Sequence, residues 1–173
     1  MTIHSSAPIV HGPKSTQRLG RSIAIDLTAP QVNLVVERGS TLPRASVIVT
    51  TTARHLIEQS KTGDKIENLI VTGSAVDPTA HPDFREIGEN LRALRDKGFP
   101  RAKMCLFSNC REFESGELRI ALGYFDKLFF SFEWGTAKTF TQATGEKSTV
   151  LATLTRQLAS LDHVIVQARF FRG

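Results

Sequence analysis

The feature that most constrains this chain is an alternation of short apolar runs with amphipathic stretches, joined by brief connections, over its last hundred or so residues. Asn68 to Thr72 reads as a strand stopped by Gly73. Phe84, Ile87, Leu91 and Leu94 then recur at steps of three and four, with Pro82 suited to a first helical turn and Gly98 past the end. Lys103 to Phe107 is a second apolar strand, halted by Ser108-Asn109. Leu118, Ala121, Leu122 and Phe125 mark a helix with Ser115 as N-cap and Glu117 in its first turn. Leu128 to Phe132 is a strand. Leu151, Leu154, Leu158 and Leu161 make a helix that Ser148 or Thr149 could cap, and Val164-Ile165-Val166 opens a last strand. Near-continuous apolar strands between amphipathic helices predict an α/β fold with a parallel sheet covered by helices. Right-handed crossovers follow. An open sheet and a partial barrel satisfy the pattern equally.

Upstream, Ile23, Ile25 and Leu27 alternate with Ser22, Ala24 and Asp26, a strand ending at Ala29-Pro30. Ser46 to Gln59 carries Ala53, Leu56 and Ile57 at helical spacing after Thr50-Thr51-Thr52. Residues 1–20, rich in Ser, Pro, Gly and Thr, lack periodicity and are expected to form a flexible N-terminal arm or strap, leaving residues 21–173 as the folded domain. A chain of 173 residues can bury one adequate core without staples. No apolar run approaches the roughly 20 residues of a membrane span. Met1-Thr2-Ile3-His4-Ser5-Ser6 has no charged segment leading into an apolar one, so a cytoplasmic protein is expected. Two cysteines, Cys105 and Cys110, exclude a disulfide framework.

In parallel α/β sheets ligands lie at the carboxyl ends of the strands. Those ends here carry Asp26 and Thr28; Gly73-Ser74-Ala75-Val76-Asp77-Pro78-Thr79; Ser108-Asn109-Cys110; Ser131, Glu133 and Trp134; and Gln167, Arg169 and Arg172. Small and polar residues at every strand exit predict a polar ligand-facing mouth. His81 beside Asp77 and Asp83 matches no usual metal-ligand spacing and reads as a helix entry. No phosphate-binding loop, dinucleotide fingerprint or nucleophile elbow is present. The net charge of +5 is a modest field, with Arg92, Arg95, Lys97, Arg101 and Lys103 close together. A nucleic-acid-binding module using the Arg92–Lys103 region is therefore the alternative function.

Taken in order, these strand exits resemble the radical S-adenosylmethionine enzymes. Gly73-Ser74-Ala75-Val76-Asp77-Pro78-Thr79-Ala80-His81-Pro82-Asp83-Phe84 is similar to that family's second-strand motif, with Val76 as one extra residue. Leu106-Phe107-Ser108-Asn109 resembles its third-strand ending, Phe130-Ser131-Phe132-Glu133-Trp134 its fourth, and Val166-Gln167-Ala168-Arg169 its fifth. Leu19 to Thr28 is similar to its first strand. The resemblance implies a parallel (β/α) partial TIM-type barrel of about five strands, incomplete at its C-terminal side. It also implies contacts to S-adenosylmethionine from Gly73, Ser74, Asp77, Pro78, Ser108, Asn109, Ser131, Glu133 and Arg169. The family cleaves that cofactor on a [4Fe–4S] cluster held by Cys-x3-Cys-x2-Cys after the first strand. Gln31-Val32-Asn33-Leu34-Val35-Val36-Glu37 stands there without a cysteine. The expectation is a catalytically silent member with a residual role: binding a small adenosyl ligand, or a protein partner or second copy at the open barrel edge.

Overall fold

The computed structural model describes residues 7–31, 42–109, 115–132 and 134–168. Its chain order is β1 (Val10–Thr16), β2 (Gly20–Asp26), α1 (Ala45–Thr62), β3 (Asn68–Thr72), a single 3-10 turn (Pro78–Ala80) and α2 (Phe84–Gly98). There follow β4 (Lys103–Ser108), α3 (Gly116–Leu122), β5 (Lys127–Ser131), α4 (Ala137–Thr144), α5 (Ser148–Ala159) and β6 (Val164–Gln167). The fold is α/β. Its six strands form one sheet in the order β1-β2-β3-β4-β5-β6, with β1 antiparallel to β2 and all later pairs parallel. The sheet is not closed: among the described residues β6 has no strand on its outer edge.

This order decides where the helices go. Right-handed crossovers that always step in one direction put every helix on the same face, and α1 packs on α2 as α2 packs on α3. Register-matched residues of parallel strands share a face. Ile25, Val71, Leu106, Leu128 and Val164 form one such row. With Ile23, Leu69, Met104 and Phe130 they meet Ile48 and Leu56 of α1, Ile87 and Leu91 of α2, and Leu154 and Leu158 of α5 in the main core. The opposite face carries Asp26, Asn68, Thr72, Cys105, Ser131 and Gln167 together with the Phe107–Phe129 pair, stacked at 4.6 Å.

Several boundaries differ from expectation. Val10–Thr16 is a strand of the sheet, not part of a flexible arm. As an edge strand it pairs on one side only and stays half-exposed, so it lacks the alternation that marks buried strands. Helix α1 begins at Ala45 and buries Ile48, Thr52 and Leu56, while Ile57 faces solvent. Gly98 closes α2 rather than following it. Lys147, without a side-chain cap, precedes α5, and Ser148 is its first residue. Ser115 caps α3 as expected, accepting from the Leu118 N–H.

One buried charge ties the helix layer to the sheet. Arg95 of α2, nearly inaccessible, donates from Nη1 to the Ala102 carbonyl at 2.7 Å and to Asp126 Oδ2 at 3.2 Å. The same Asp126 oxygen accepts from the Met104 N–H at 2.8 Å. Arg95 Nε lies 2.7 Å from Asp96 Oδ1 without the alignment of a hydrogen bond. Removing Asp126 leaves the guanidinium only the Ala102 carbonyl and the exposed Asp96, and losing one partner of a buried pair costs about 3 kcal/mol. Asp126→Ala should therefore lower the urea midpoint by that equivalent. A midpoint unchanged from wild type would show that Arg95 finds its compensation elsewhere.

Candidate functional site

The carboxyl ends of β3, β4 and β5 enclose a polar cavity of about 290 Å³, at the lower end of the range of small-ligand clefts. Gly73, Ser74, Asp77, Pro78, Ser108, Asn109 and Ser131 all line it, with Thr72 and Phe107 as its floor. Residues remote in sequence thus meet at one place. Glu133 and Arg169 lie outside the described residues, as do Cys110 and residues 32–41, where the cluster motif of the resembling family would fall.

The wall nearest β2 is held by two buried side chains. Asp26 Oδ1 accepts from the Thr28 N–H at 2.9 Å and from the Ser74 N–H at 3.0 Å. Thr28 Oγ1, fully buried, accepts from the N–H groups of Ala75 and Val76 at 3.1 and 3.3 Å and lies 3.1 Å from the Val76 carbonyl oxygen. The loop after β3 is thereby folded onto the end of β2. Gly73 makes this closure sterically feasible: a Cβ there would collide with the Val76 carbonyl and stand 2.8 Å from Thr28 Oγ1.

Asp77 is the centre of the cavity's second wall, and it is spent on its own protein. Oδ1 accepts from the Thr79 N–H at 3.0 Å, the Thr79 hydroxyl at 2.6 Å and the Ser108 hydroxyl at 3.0 Å. Oδ2 accepts from the Asn109 N–H at 2.6 Å and shares the Ser108 hydroxyl at 3.0 Å. The carboxylate therefore clamps the β3 loop to the end of β4. In the cavity it acts as a positioning residue. The groups left over are neutral: the Ser74 and Ser131 hydroxyls and the Asn109 amide make no side-chain hydrogen bond among the described residues. Such a set suits hydroxyls, amides or ring nitrogens better than a bare charge.

The other sequence candidates are drawn into structure. His81 is buried; its Nδ1 accepts from the Asp83 N–H at 3.1 Å, leaving Nε2 to donate to the Pro43 carbonyl at 2.9 Å. Both nitrogens are occupied, and among the described residues no His, Cys, Asp or Glu group could hold a metal. Trp134 meets Phe132 and Phe140 edge-on, with centroids 5.6 and 5.0 Å apart, and so anchors α4. Arg92 and Arg95, two of the five residues of the expected basic surface, are engaged by Asp96 and Asp126.

Arg18 is a member of the unoccupied face that sequence reasoning missed. From the β1–β2 turn its guanidinium sits 5.4 Å from the Phe129 ring centre. With the Gln167 amide oriented as its bonding requires, the amide oxygen accepts from both Arg18 Nη atoms at 2.8 and 3.0 Å. In a flat sheet β2 and β6 would stand about 19 Å apart, beyond the span of one arginine side chain. The sheet is curled across this face. No sequence signal marks a lone arginine in a turn for such a role.

Comparison with protein-family models, with curated proteins and with solved structures gave no match to this chain. Fold and site together define an α/β domain with a polar cavity at the carboxyl ends of its parallel strands.

Two measurements probe this geometry. Gly73→Ala should cost about 1–3 kcal/mol through overpacking, whereas Gly98→Ala, where a Cβ meets nothing within 4 Å, should be neutral or better. Equal urea midpoints for the two variants would refute the close approach. Burial raises the Cys105 thiol from its usual 9.0 to about 11, partly offset by nearby Lys127. The folded chain then holds a proton that the unfolded chain loses, so this contribution is intact below pH 9 and fades as pH rises towards 11. Relative to Cys105→Ala, the wild type should lose stability across that window; parallel curves would exclude it.

Proposed function

We propose that this chain is a degenerate radical-S-adenosylmethionine-like domain. In this reading it binds an adenosyl-type ligand at the carboxyl ends of its strands and does not cleave it reductively. The observation that carries the reading is the convergence of Gly73, Ser74, Asp77, Pro78, Ser108, Asn109 and Ser131 on one cavity. These are the positions that the motif resemblance assigns to the cofactor. Strands in sequential order, helices on one face and a curled sheet are compatible with a partial barrel of about five parallel strands, with β1 added at one edge.

The chemistry of the cavity supports binding more than catalysis. Among the described residues its unengaged side chains are two hydroxyls and an amide, partners for ribose hydroxyls or an adenine edge, and its carboxylate, Asp77, already accepts from four donor groups. The [4Fe–4S] cluster of the resembling family does not fit this chain. Three thiolates are needed, the sequence has two cysteines, and Cys105 is buried within the sheet with its Sγ 3.4 Å from Asn68 Oδ1. The methionyl amine and carboxylate, which the open iron holds in that family, lose their main anchor here, so affinity for S-adenosylmethionine should be modest.

Calorimetric titration with S-adenosylmethionine and with adenosine, in the absence of iron, tests the reading. Saturable binding of either, weakened at least tenfold by Ser131→Trp, is the expected result; tenfold is about 1.4 kcal/mol. No saturable heat with either ligand would overturn it. After anaerobic iron–sulfide reconstitution, no 5′-deoxyadenosine should form; its appearance would refute the loss of cluster chemistry.

A further inference from the structure

A second cavity opens at the opposite, amino-terminal ends of the strands, with a volume of about 390 Å³. Five cations line it, Arg18, Lys65, Arg101, Lys103 and Lys127, against one carboxylate, Glu67. Five minus one leaves a surplus of +4 here, in a chain whose whole net charge is +5. None of the five forms an ion pair with a described carboxylate. Close by, Arg21 is neutralised by Asp64 at 2.5 Å, and Arg92 and Arg95 by Asp96 and Asp126. The entries to four strands supply the cluster: Arg18 in the turn before β2, Lys65 ahead of β3, Arg101 and Lys103 at β4, and Lys127 at β5. The fold therefore gathers like charges that repel one another when no anion is present.

We propose that this rim is a binding site for a compact phosphoanion, of the size of a di- or triphosphate. The ammonium groups of Lys65, Lys103 and Lys127 and the guanidinium of Arg101 supply donors for phosphoryl oxygens, as charge-assisted bonds require. Arg18 is held on Phe129 and Gln167 and contributes field more than contact. A compact ligand is favoured over a polynucleotide track because Arg85, Arg92 and Arg95 of α2 are already compensated, which leaves Lys97 as that helix's one cation without an ion pair to a described carboxylate. The site is independent of the cavity at the carboxyl ends and of any adenosyl ligand.

The test follows thermal unfolding of the intact chain with inorganic tripolyphosphate, with sodium chloride matched for ionic strength as reference. At about one hundred times Kd, tripolyphosphate should raise Tm by about 5 °C or more. Lys103→Gln and Arg101→Gln should each weaken binding roughly tenfold. Both should leave the unliganded Tm unchanged or higher, since each relieves repulsion. A control, Lys138→Gln in the first turn of α4, which follows the carboxyl end of β5, should retain the full response. A single-stranded oligonucleotide separates the sources of phosphate: affinity no tighter than tripolyphosphate supports the compact site. Affinity that grows with oligonucleotide length, without a tripolyphosphate response, overturns it, as does a response that Lys103→Gln and Arg101→Gln leave intact.

Discussion

Six strands that follow one another across the sheet in chain order leave the helices only one face to occupy, and most of the molecule's chemistry follows from that winding. The helix-bearing face can be apolar throughout, and it is: the row Ile25, Val71, Leu106, Leu128 is continuous with the core under α1, α2 and α5. Among the described residues the other face receives no helix. It carries a mixture that a two-sided core would not tolerate, including Asp26, Asn68 and Gln167, and it manages them with hydrogen bonds instead of packing. A doubly wound sheet of the same strands would have had to bury these side chains beneath a second helix layer.

The alternation of apolar strands and amphipathic helices was legible in the sequence because each central strand is buried and each flanking helix has one apolar stripe. What escaped notice lacks those properties. Strand β1 is an edge with one aliphatic residue, Val10, followed by His, Gly, Pro, Lys, Ser and Thr, and its pairing with β2 needs backbone groups alone. Helix α4 buries a single side chain, Phe140, so periodicity had nothing to repeat. Its markers were local: Thr136 and Thr139 cap each other reciprocally, and Gly145 ends it in the left-handed conformation. The true face of α1 was obscured by Thr52, a polar residue inside, and Ile57, an apolar one outside.

The candidate site shows the same division. That Gly73, Asp77, Ser108 and Ser131 lie on one edge of the sheet could be read from the strand exits, and the sequential order β3-β4-β5 is what makes them neighbours. What each residue does could not. Asp77 looks like a ligand in one dimension, and only the four donor groups it accepts from show a clamp between two loops. The basic stretch from Arg92 to Lys103 looks like one surface in sequence. In space it divides, because α2 turns Arg92 and Arg95 towards Asp126 while Arg101 and Lys103 lie beyond the helix at the strand entries.

The face without helices is thus graded along its strands. On β5, Lys127 stands at the cationic entry, Phe129 at mid-strand and Ser131 at the neutral polar exit, about 13 Å from first to last. Between them Phe129 stacks on Phe107 and has the Arg18 guanidinium 5.4 Å from its ring centre. Arg18 belongs to both arrangements, lining the basic rim while its charge is held inward by Gln167 of β6. A ligand that drew Arg18 outward would loosen the tie between the first hairpin and the last strand. A ligand held by Arg101 and the lysines of the rim leaves that tie intact, so the two ends of this face can be filled independently.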